Sequence, residues 1–225
     1  MLILILKKTM KTSLFDEWTL QKLNNTFGLR EVSTLAALEE WLLPDVVLEQ
    51  YEITILDKLK TNLARRIMSF NEQELILKCI GTIITIANLD GNTFRAFSER
   101  NIEAVVNEYL LKGKPDLLLA KGTSDPQTPF YCLHEYKKSL ENAGEPAGQC
   151  MAAMLAAQTL NDNPQQIIYG SYVVGREWIF MVLDGKHYAQ SNAYIVTRDD
   201  IFDIVRILRS LRTKIANMLN DDEGW

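Results

Sequence analysis

The chain has 225 residues, 47% hydrophobic and 24% charged, with 11 glycines and 6 prolines. That balance excludes a collagen, a disordered polyampholyte and a Pro/Gly-rich linker, and the length supports one sizeable core. With 24 basic against 29 acidic residues the net charge is −5, so there is no basic coat, and a nucleic acid could be met only through a local patch.

The chain opens on the apolar run Met1–Leu6, followed by Lys7-Lys8. Six residues are far short of the roughly 20 that span a bilayer. The positive charge also follows the run, the reverse of a signal peptide. It reads as a short strand or an upstream start-site extension. No other stretch is long, apolar and uncharged, so a cytoplasmic protein without a membrane segment is expected.

The first 90 residues read as helical. Ser13 with Asp16 three positions on suggests a helix start, and Phe27-Gly28 its end. A second helix spans 31–43 and closes at Pro44. Over 45–70 the apolar positions Val47, Leu48, Tyr51, Ile55, Leu59, Leu63 and Ile67 recur near a 3.6 period, which predicts a long amphipathic helix. Its apolar face could bury against the core or pair with a second copy, so a homodimer through the N-terminal helices is one expectation. Asn71 is placed to cap a further helix, 72–88.

From 93 the pattern changes to β-branched and aromatic residues, with strands expected near 94–97, 102–111, 115–121 and 129–138. Gly144, Pro146 and Gly148 punctuate the approach to an Ala/Met-rich helix, 147–160. Strands 166–174 and 177–183 follow, joined at Gly175-Arg176, then an Asp184-Gly185 turn, a short strand near 186–189 and a final helix, 199–219. The order predicts an α/β protein: a helical N-terminal extension over 1–70, then a layered domain over 71–225.

Cys79, Cys132 and Cys150 form no C-x-x-C pair, which argues for buried free thiols over disulfides or zinc. Two histidines, His134 and His187, are too few and too far apart for a His-based metal site. No P-loop, dinucleotide glycine pattern or Ser-His-Asp set is present.

The chemistry gathers in two stretches, Gly113-Lys114-Pro115-Asp116-Leu117 and Leu133-His134-Glu135-Tyr136-Lys137-Lys138. Each ties charged residues to a run otherwise suited to a buried strand. Side chains two apart on a strand share a face, so Glu135 and Lys137 look the same way and Tyr136 looks the other. An unpaired Asp116 would be costly beside four apolar strand residues. Two carboxylates at a strand junction suit a hard cation such as Mg²⁺ or Mn²⁺. Such an ion polarises a phosphoryl oxygen, and Lys137 would steady the attacking water or the phosphate charge.

These residues resemble the PD-(D/E)XK nuclease superfamily: Pro115-Asp116, eighteen intervening residues, then Glu135-Tyr136-Lys137. Gly148-Gln149-Cys150-Met151 is similar to the helix start at which relatives carry a supporting Gln. Tyr169-Gly170 to Gly175-Arg-Glu-Trp178-Ile-Phe180 is similar to a hairpin found in some of them. The decoys Pro44-Asp45 and Asp184-Gly185-Lys186 lack the strand–strand–helix context. The resemblance covers about residues 72–215. It implies a restriction-endonuclease-like fold, a mixed central sheet flanked by helices. It also implies a metal-dependent nuclease acting on DNA, with Asp116 and Glu135 as metal ligands, Lys137 beside the water and Gln149 in support.

A third metal-binding acid from the preceding helix is also implied. Glu72 and Glu74 are available, and Glu74 is the expected one, although both fit first-turn residues favoured by the helix dipole. A fold retained as a non-catalytic binding scaffold is the alternative. Arg206, Arg209 and Arg212 share a flank of the last helix, either as a phosphate-tracking row or, preferably, as its solvated face.

Overall fold

The computed structural model describes residues 10–139 and 145–219; the strand expected at Met1–Leu6 lies outside them. Within them, β1 (Lys11–Leu14) leads through a single 3₁₀ turn to α1 (Leu20–Phe27), followed by β2 (Arg30–Glu31), α2 (Ala36–Leu42) and α3 (Gln50–Arg66). Next come α4 (Glu72–Leu75) and α5 (Gly81–Ala87), joined by a π-helical turn, Ile76–Ile80. The strand-rich centre holds β3 (Phe94–Ser98), β4 (Ile102–Val106), β5 (Tyr109–Gly113), β6 (Leu117–Lys121) and β7 (Gln127–Lys137). The chain then runs through α6 (Pro146–Leu160), β8 (Ile168–Val174), β9 (Glu177–Asp184), β10 (His187–Gln190), β11 (Tyr194–Ile195) and α7 (Asp200–Leu219).

The large sheet is mixed, in the order β2-β10-β9-β8-β7-β6-β3, with β11 on β9. β6 and β7 are antiparallel, β7 and β8 are parallel, and β8 and β9 are antiparallel again. A parallel neighbour needs a crossover connection, and α6 supplies it. On one face of the sheet α2, α3, α4, α5 and α7 close a core containing Trp41, Leu56, Leu63, Ile83, Leu208 and Leu211. On the other, α6 lies between the sheet and a smaller one, β1-β5-β4, with α1 beside it. The chain is therefore mixed α/β, with helices on both faces of the large sheet. No helix among the described residues is long and apolar enough to cross a membrane.

α6 explains the arrangement of that second face. It starts at Pro146 and is buried almost all round, from Pro146 to Gln158, the pattern of a helix without a solvent side. Two glycines allow its close approach. A Cβ on Gly148 would lie 2.4 Å from the Trp18 carbonyl oxygen, and one on Gly170 would lie 2.5 Å from the Met154 sulfur. At its far end Asn161 clamps Phe130, accepting from its N–H and donating to its carbonyl, both at 2.7 Å. That clamp sits where the β6–β7 register shifts.

The N-terminal region departs from the all-helical expectation. Residues 11–14 form β1, parallel to β5, and Ser13 is not a helix start: its hydroxyl donates to Glu17 at 2.6 Å. The helix begins later, where Thr19 accepts from the Lys22 N–H, and ends at Gly28 with φ +70°. Arg30–Glu31 is a strand, parallel to β10, and α2 is shorter than expected. Residues 10–70 thus donate strands to both sheets and side chains to both cores. The strand expected over 102–111 is instead a hairpin, β4–β5. It turns at Asn107, whose φ of +57° suits an Asn.

The phase of α3 also differs. Leu48, Leu63 and Ile67 are buried as expected, but Val47, Tyr51 and Ile55 are exposed, and Glu52 and Leu56 take the inner positions. Glu52 is only 4% exposed. Both its carboxylate oxygens meet the Arg209 guanidinium, Nη1 reaching Oε2 at 3.1 Å. Arg209 also donates to the Ile86 carbonyl, so the pair joins α3, α5 and α7. Burial alone would raise the Glu52 pKa, but Arg209 and the Glu49 N–H outweigh it and hold the carboxyl below its usual range.

A depressed carboxyl pKa gives stability that is complete above the unfolded value, about 4.3, and is lost as pH falls through the folded value. Glu52→Gln strands a buried guanidinium and should cost roughly 3 kcal/mol near neutral pH. Urea denaturation across acid pH should show a shallower acid loss in the variant; equal slopes would remove the pair's role.

Candidate active site

Four of the residues singled out in the sequence converge at one end of the large sheet. Asp116 directly precedes β6, Glu135 and Lys137 end β7, and Gln149 lies in the first turn of α6. β6 and β7 pair in a register that sets Leu117 against His134, so Asp116 lies beside Glu135. The alternation along β7 sorts its side chains. Cys132 and Tyr136 enter the core under α7, while Leu133 faces α6 with Glu135 and Lys137.

Each of the four side chains has a defined contact there. The Tyr136 N–H donates to Asp116 Oδ2 at 2.6 Å, so the carboxylate is fixed by the backbone of the strand that carries Glu135. Gln149 Nε2 donates to Glu135 Oε1 at 2.5 Å. Lys137 Nζ lies 3.2 Å from the same oxygen and 3.9 Å from Glu72 Oε1. Glu135 is 2% exposed, a depth at which a carboxylate is rarely left without a function or a counter-charge.

The electrostatics follow from this packing. Burial, then the neighbouring Asp116 carboxylate, push the Glu135 carboxyl up to about 8, against the opposing pull of Lys137. Burial also raises Asp116, only partly offset by the Tyr136 N–H and Lys137. For Lys137 burial disfavours the charge, but Glu135, Asp116 and Glu72 outweigh it and raise the pKa. One ammonium thus faces three carboxyl groups, and the site lacks positive charge.

Glu74, the acid expected from the preceding helix, is not at this site. Its Oε2 accepts the Asn71 N–H, Asn71 accepts the Glu74 N–H, and its Oε1 pairs with Lys78 at 2.5 Å. It is an exposed residue closing the first turn of α4. Glu72, two residues earlier, is the acid of this helix that reaches Lys137. A turn of reciprocal backbone bonds holds Glu74 and leaves Glu72 to face Lys137, and apolar spacing does not encode that choice.

His134 turns away from Glu135, as the alternation requires. Its Nδ1 lies 2.5 Å from Ser171 Oγ and its Nε2 3.3 Å from Cys132 Sγ, and burial lowers its pKa to about 3, so it is a neutral structural imidazole. Tyr136, Trp178 and Phe180 are core residues, and all three cysteines are buried free thiols. The arginine row on α7 is neither a phosphate track nor a simple solvated face. Arg206 pairs with Asp203, Arg209 with Glu52, and Arg212 donates to the Asp90 carbonyl.

No model of a known protein family matches the chain, and no curated protein matches it.

A carboxyl raised above its unfolded pKa destabilises the fold increasingly as pH climbs from the unfolded value, about 4.3, to the folded value, here about 8. In chelator-treated buffer Glu135→Gln should therefore be more stable than the wild type, by a margin that widens over that window and is flat above it. Chemical denaturation at a series of pH values measures this, and a margin independent of pH would show that Glu135 carries no such strain.

Proposed function

We propose that this protein is a metal-dependent nuclease of the PD-(D/E)XK type, with a restriction-endonuclease-like fold and DNA as its substrate. The observation that carries the reading is the convergence of Asp116, Glu135, Lys137 and Gln149 at one end of the sheet, through the β6–β7–α6–β8 succession. Pro-Asp and Glu-x-Lys motifs can occur by chance in a sequence. The support lies in the packing: Gln149 and Lys137 meet the nearly buried Glu135 at 2.5 and 3.2 Å, and Asp116 is held at 2.6 Å by the backbone N–H next to it.

The donor set suits a hard divalent cation. Among the described residues no cluster of three metal-ligating side chains exists, so the protein would supply two carboxylates, Asp116 and Glu135. Mg²⁺ is commonly held by one or two carboxylates, with water and substrate phosphate oxygens completing its shell. Burial and the Asp116 carboxylate raise the Glu135 pKa despite Lys137, and a divalent cation held by the two acids would counter that shift. When bound, Mg²⁺ or Mn²⁺ would supply Lewis-acid polarisation of the phosphoryl group and acidify the attacking water.

The chain's own residues divide the remaining work. The Tyr136 N–H fixes Asp116, and the Gln149 amide fixes Glu135, so neither carboxylate must reorganise. Lys137 is a donor on the same face as Glu135 and can hold the water or the charge growing on the non-bridging phosphate oxygens. In the hydrolysis a water oxygen bonds phosphorus and one P–O ester bond breaks. The water proton leaves and the departing oxygen acquires one, giving a phosphate monoester and a free hydroxyl.

The wild type, Asp116→Ala and Lys137→Ala should be incubated with single- and double-stranded DNA and RNA, in Mg²⁺, Mn²⁺ or chelator. Wild-type cleavage of DNA in metal alone, reduced by about 10³-fold or more in either variant, is expected, the scale of losing a main source of transition-state charge stabilisation. Calorimetry should show Mg²⁺ binding that is lost in Asp116→Ala and kept in Glu74→Gln. Equal cleavage by wild type and variants would mean contamination. No cleavage in any condition would favour the non-catalytic scaffold.

A further inference from the structure

Five chain segments meet at the sheet edge that carries the carboxylates. Ser98, Leu117, His134, Ser171 and Phe180 form one row across β3, β6, β7, β8 and β9. The segments after β3, before β6, after β7 and between β8 and β9 therefore lie beyond that row together. Backbone bonds tie them to each other and to the segment after β11. The Glu99 N–H donates to the Asp116 carbonyl at 3.3 Å, Gly175 to Lys137 at 2.9 Å, and Val196 to Arg176 at 3.0 Å.

Each of these segments carries one exposed cation: Arg100, Lys114, Lys138, Arg176 and Arg198. None forms an ion pair among the described residues, whereas Lys11, Lys60, Lys78, Arg206, Arg209 and Lys214 all do. The acids of this edge are mostly engaged. Asp116 and Glu135 are held within the site, Asp199 pairs with Lys60, and Asp200 accepts from the Ile195 N–H. Of the remaining acids, Glu72 pairs with Lys137 and Glu74 with Lys78, which leaves Glu99 and Glu177 exposed and without an ion pair among the described residues beside the five cations, on a molecule of net charge −5. The opposite edge is more evenly mixed, with Arg30, Arg95, Lys121 and Lys186 beside Asp125, Asp162 and Asp184, all exposed.

We infer that this rim is a phosphate-contacting surface that holds a nucleic-acid strand across the Asp116–Glu135 site. The inference rests on the nuclease reading for its substrate and adds the residues that grip it. Exposed guanidinium and ammonium groups without protein partners are free to replace counterions on successive phosphates, and unpaired cations around an acidic centre focus the field there. They hold the backbone without reading bases.

The test is fluorescence anisotropy with the full chain in chelator, where cleavage is silent, using a labelled DNA duplex of about 20 bp, long enough to offer a phosphate to each rim cation, and single strands of DNA and RNA of matching sequence. The wild type should bind duplex with log K falling against log salt at a slope of about −4. Arg176→Ala with Arg198→Ala should weaken binding about tenfold or more near 0.1 M salt and flatten the slope by about 2. Lys121→Ala with Lys186→Ala, the same charge change at the opposite edge, should leave both unchanged.

Equal weakening by the two double variants, or none by either, overturns the rim while leaving the nuclease reading intact, as does single-strand binding that ignores the rim. Rim-dependent binding without metal-dependent cleavage upholds the rim and overturns the nuclease. No binding of any probe by the wild type overturns the rim.

Discussion

The switch of β7 from an antiparallel neighbour to a parallel one organises the molecule. β6 returns beside β7 through a short connection, but β8 runs with β7, so the chain must cross the sheet between them. That crossover is α6, and its burial on every side recruits β1, β4, β5 and α1 as a second cover. The helix must start close to the end of β7, which brings Gln149 onto Glu135. In open α/β sheets the crevice beyond the strand ends at such a switch is where ligands bind. The polar cluster sits at this end of the sheet, and the packing of Gly148 on Trp18 and Gly170 on Met154 lets α6 lie close beside it.

The cost of this position is electrostatic. Glu135 lies in a strand whose residues from Phe130 to Tyr136 are all buried, next to a second carboxyl and with one ammonium in reach. Core packing would favour an apolar residue there. The two buried ion-pair systems of the molecule contrast in this respect. Glu52 and Arg209 match one carboxylate to one guanidinium and depress the acid's pKa. At the candidate site the carboxyl groups outnumber the cation and Glu135 is raised. The first arrangement is complete as a structural tie; the second is complete only with a further positive charge.

Much of the fold was legible because periodicity reports burial. The strands from 94, the Ala/Met helix and the last helix were readable from period 2, from all-round apolarity and from period 3.6. Two of the misreadings share one cause, a polar residue in a role reserved for another type. Glu52 took an inner position of α3, so an apolar count shifted the helix face by one residue toward Tyr51 and Ile55. Asn107 made a hairpin turn without glycine or proline, so β4 and β5 looked like one strand. β1 and β2 are short edge strands whose pairing with β5 and β10 is non-local, and nothing in four residues or two encodes a partner. The site was legible where chemistry is tied to strand alternation, as for Asp116, Glu135 and Lys137. It failed at Glu72 and Glu74, where a capping turn chooses between neighbours.

The net charge of −5 can be placed on the structure in the same terms. Many acids are committed locally: Glu17 closes the 3₁₀ turn, Glu74 closes α4, Glu49 and Glu52 close α3, and Asp200 holds the Ile195 N–H. Several cations are drawn into pairs with the rest, as in Lys60 with Asp57 and Asp199. A global sum therefore says little about any one face. What matters for a polyanion is the charge left unpaired within about a Debye length of the site, roughly 10 Å at 0.1 M salt. The edge bearing Arg100, Lys114, Lys138, Arg176 and Arg198 carries five exposed cations, none in an ion pair among the described residues. An acidic total argues against a general affinity for nucleic acid, while a local group of unpaired cations can still direct a polyanion to one edge.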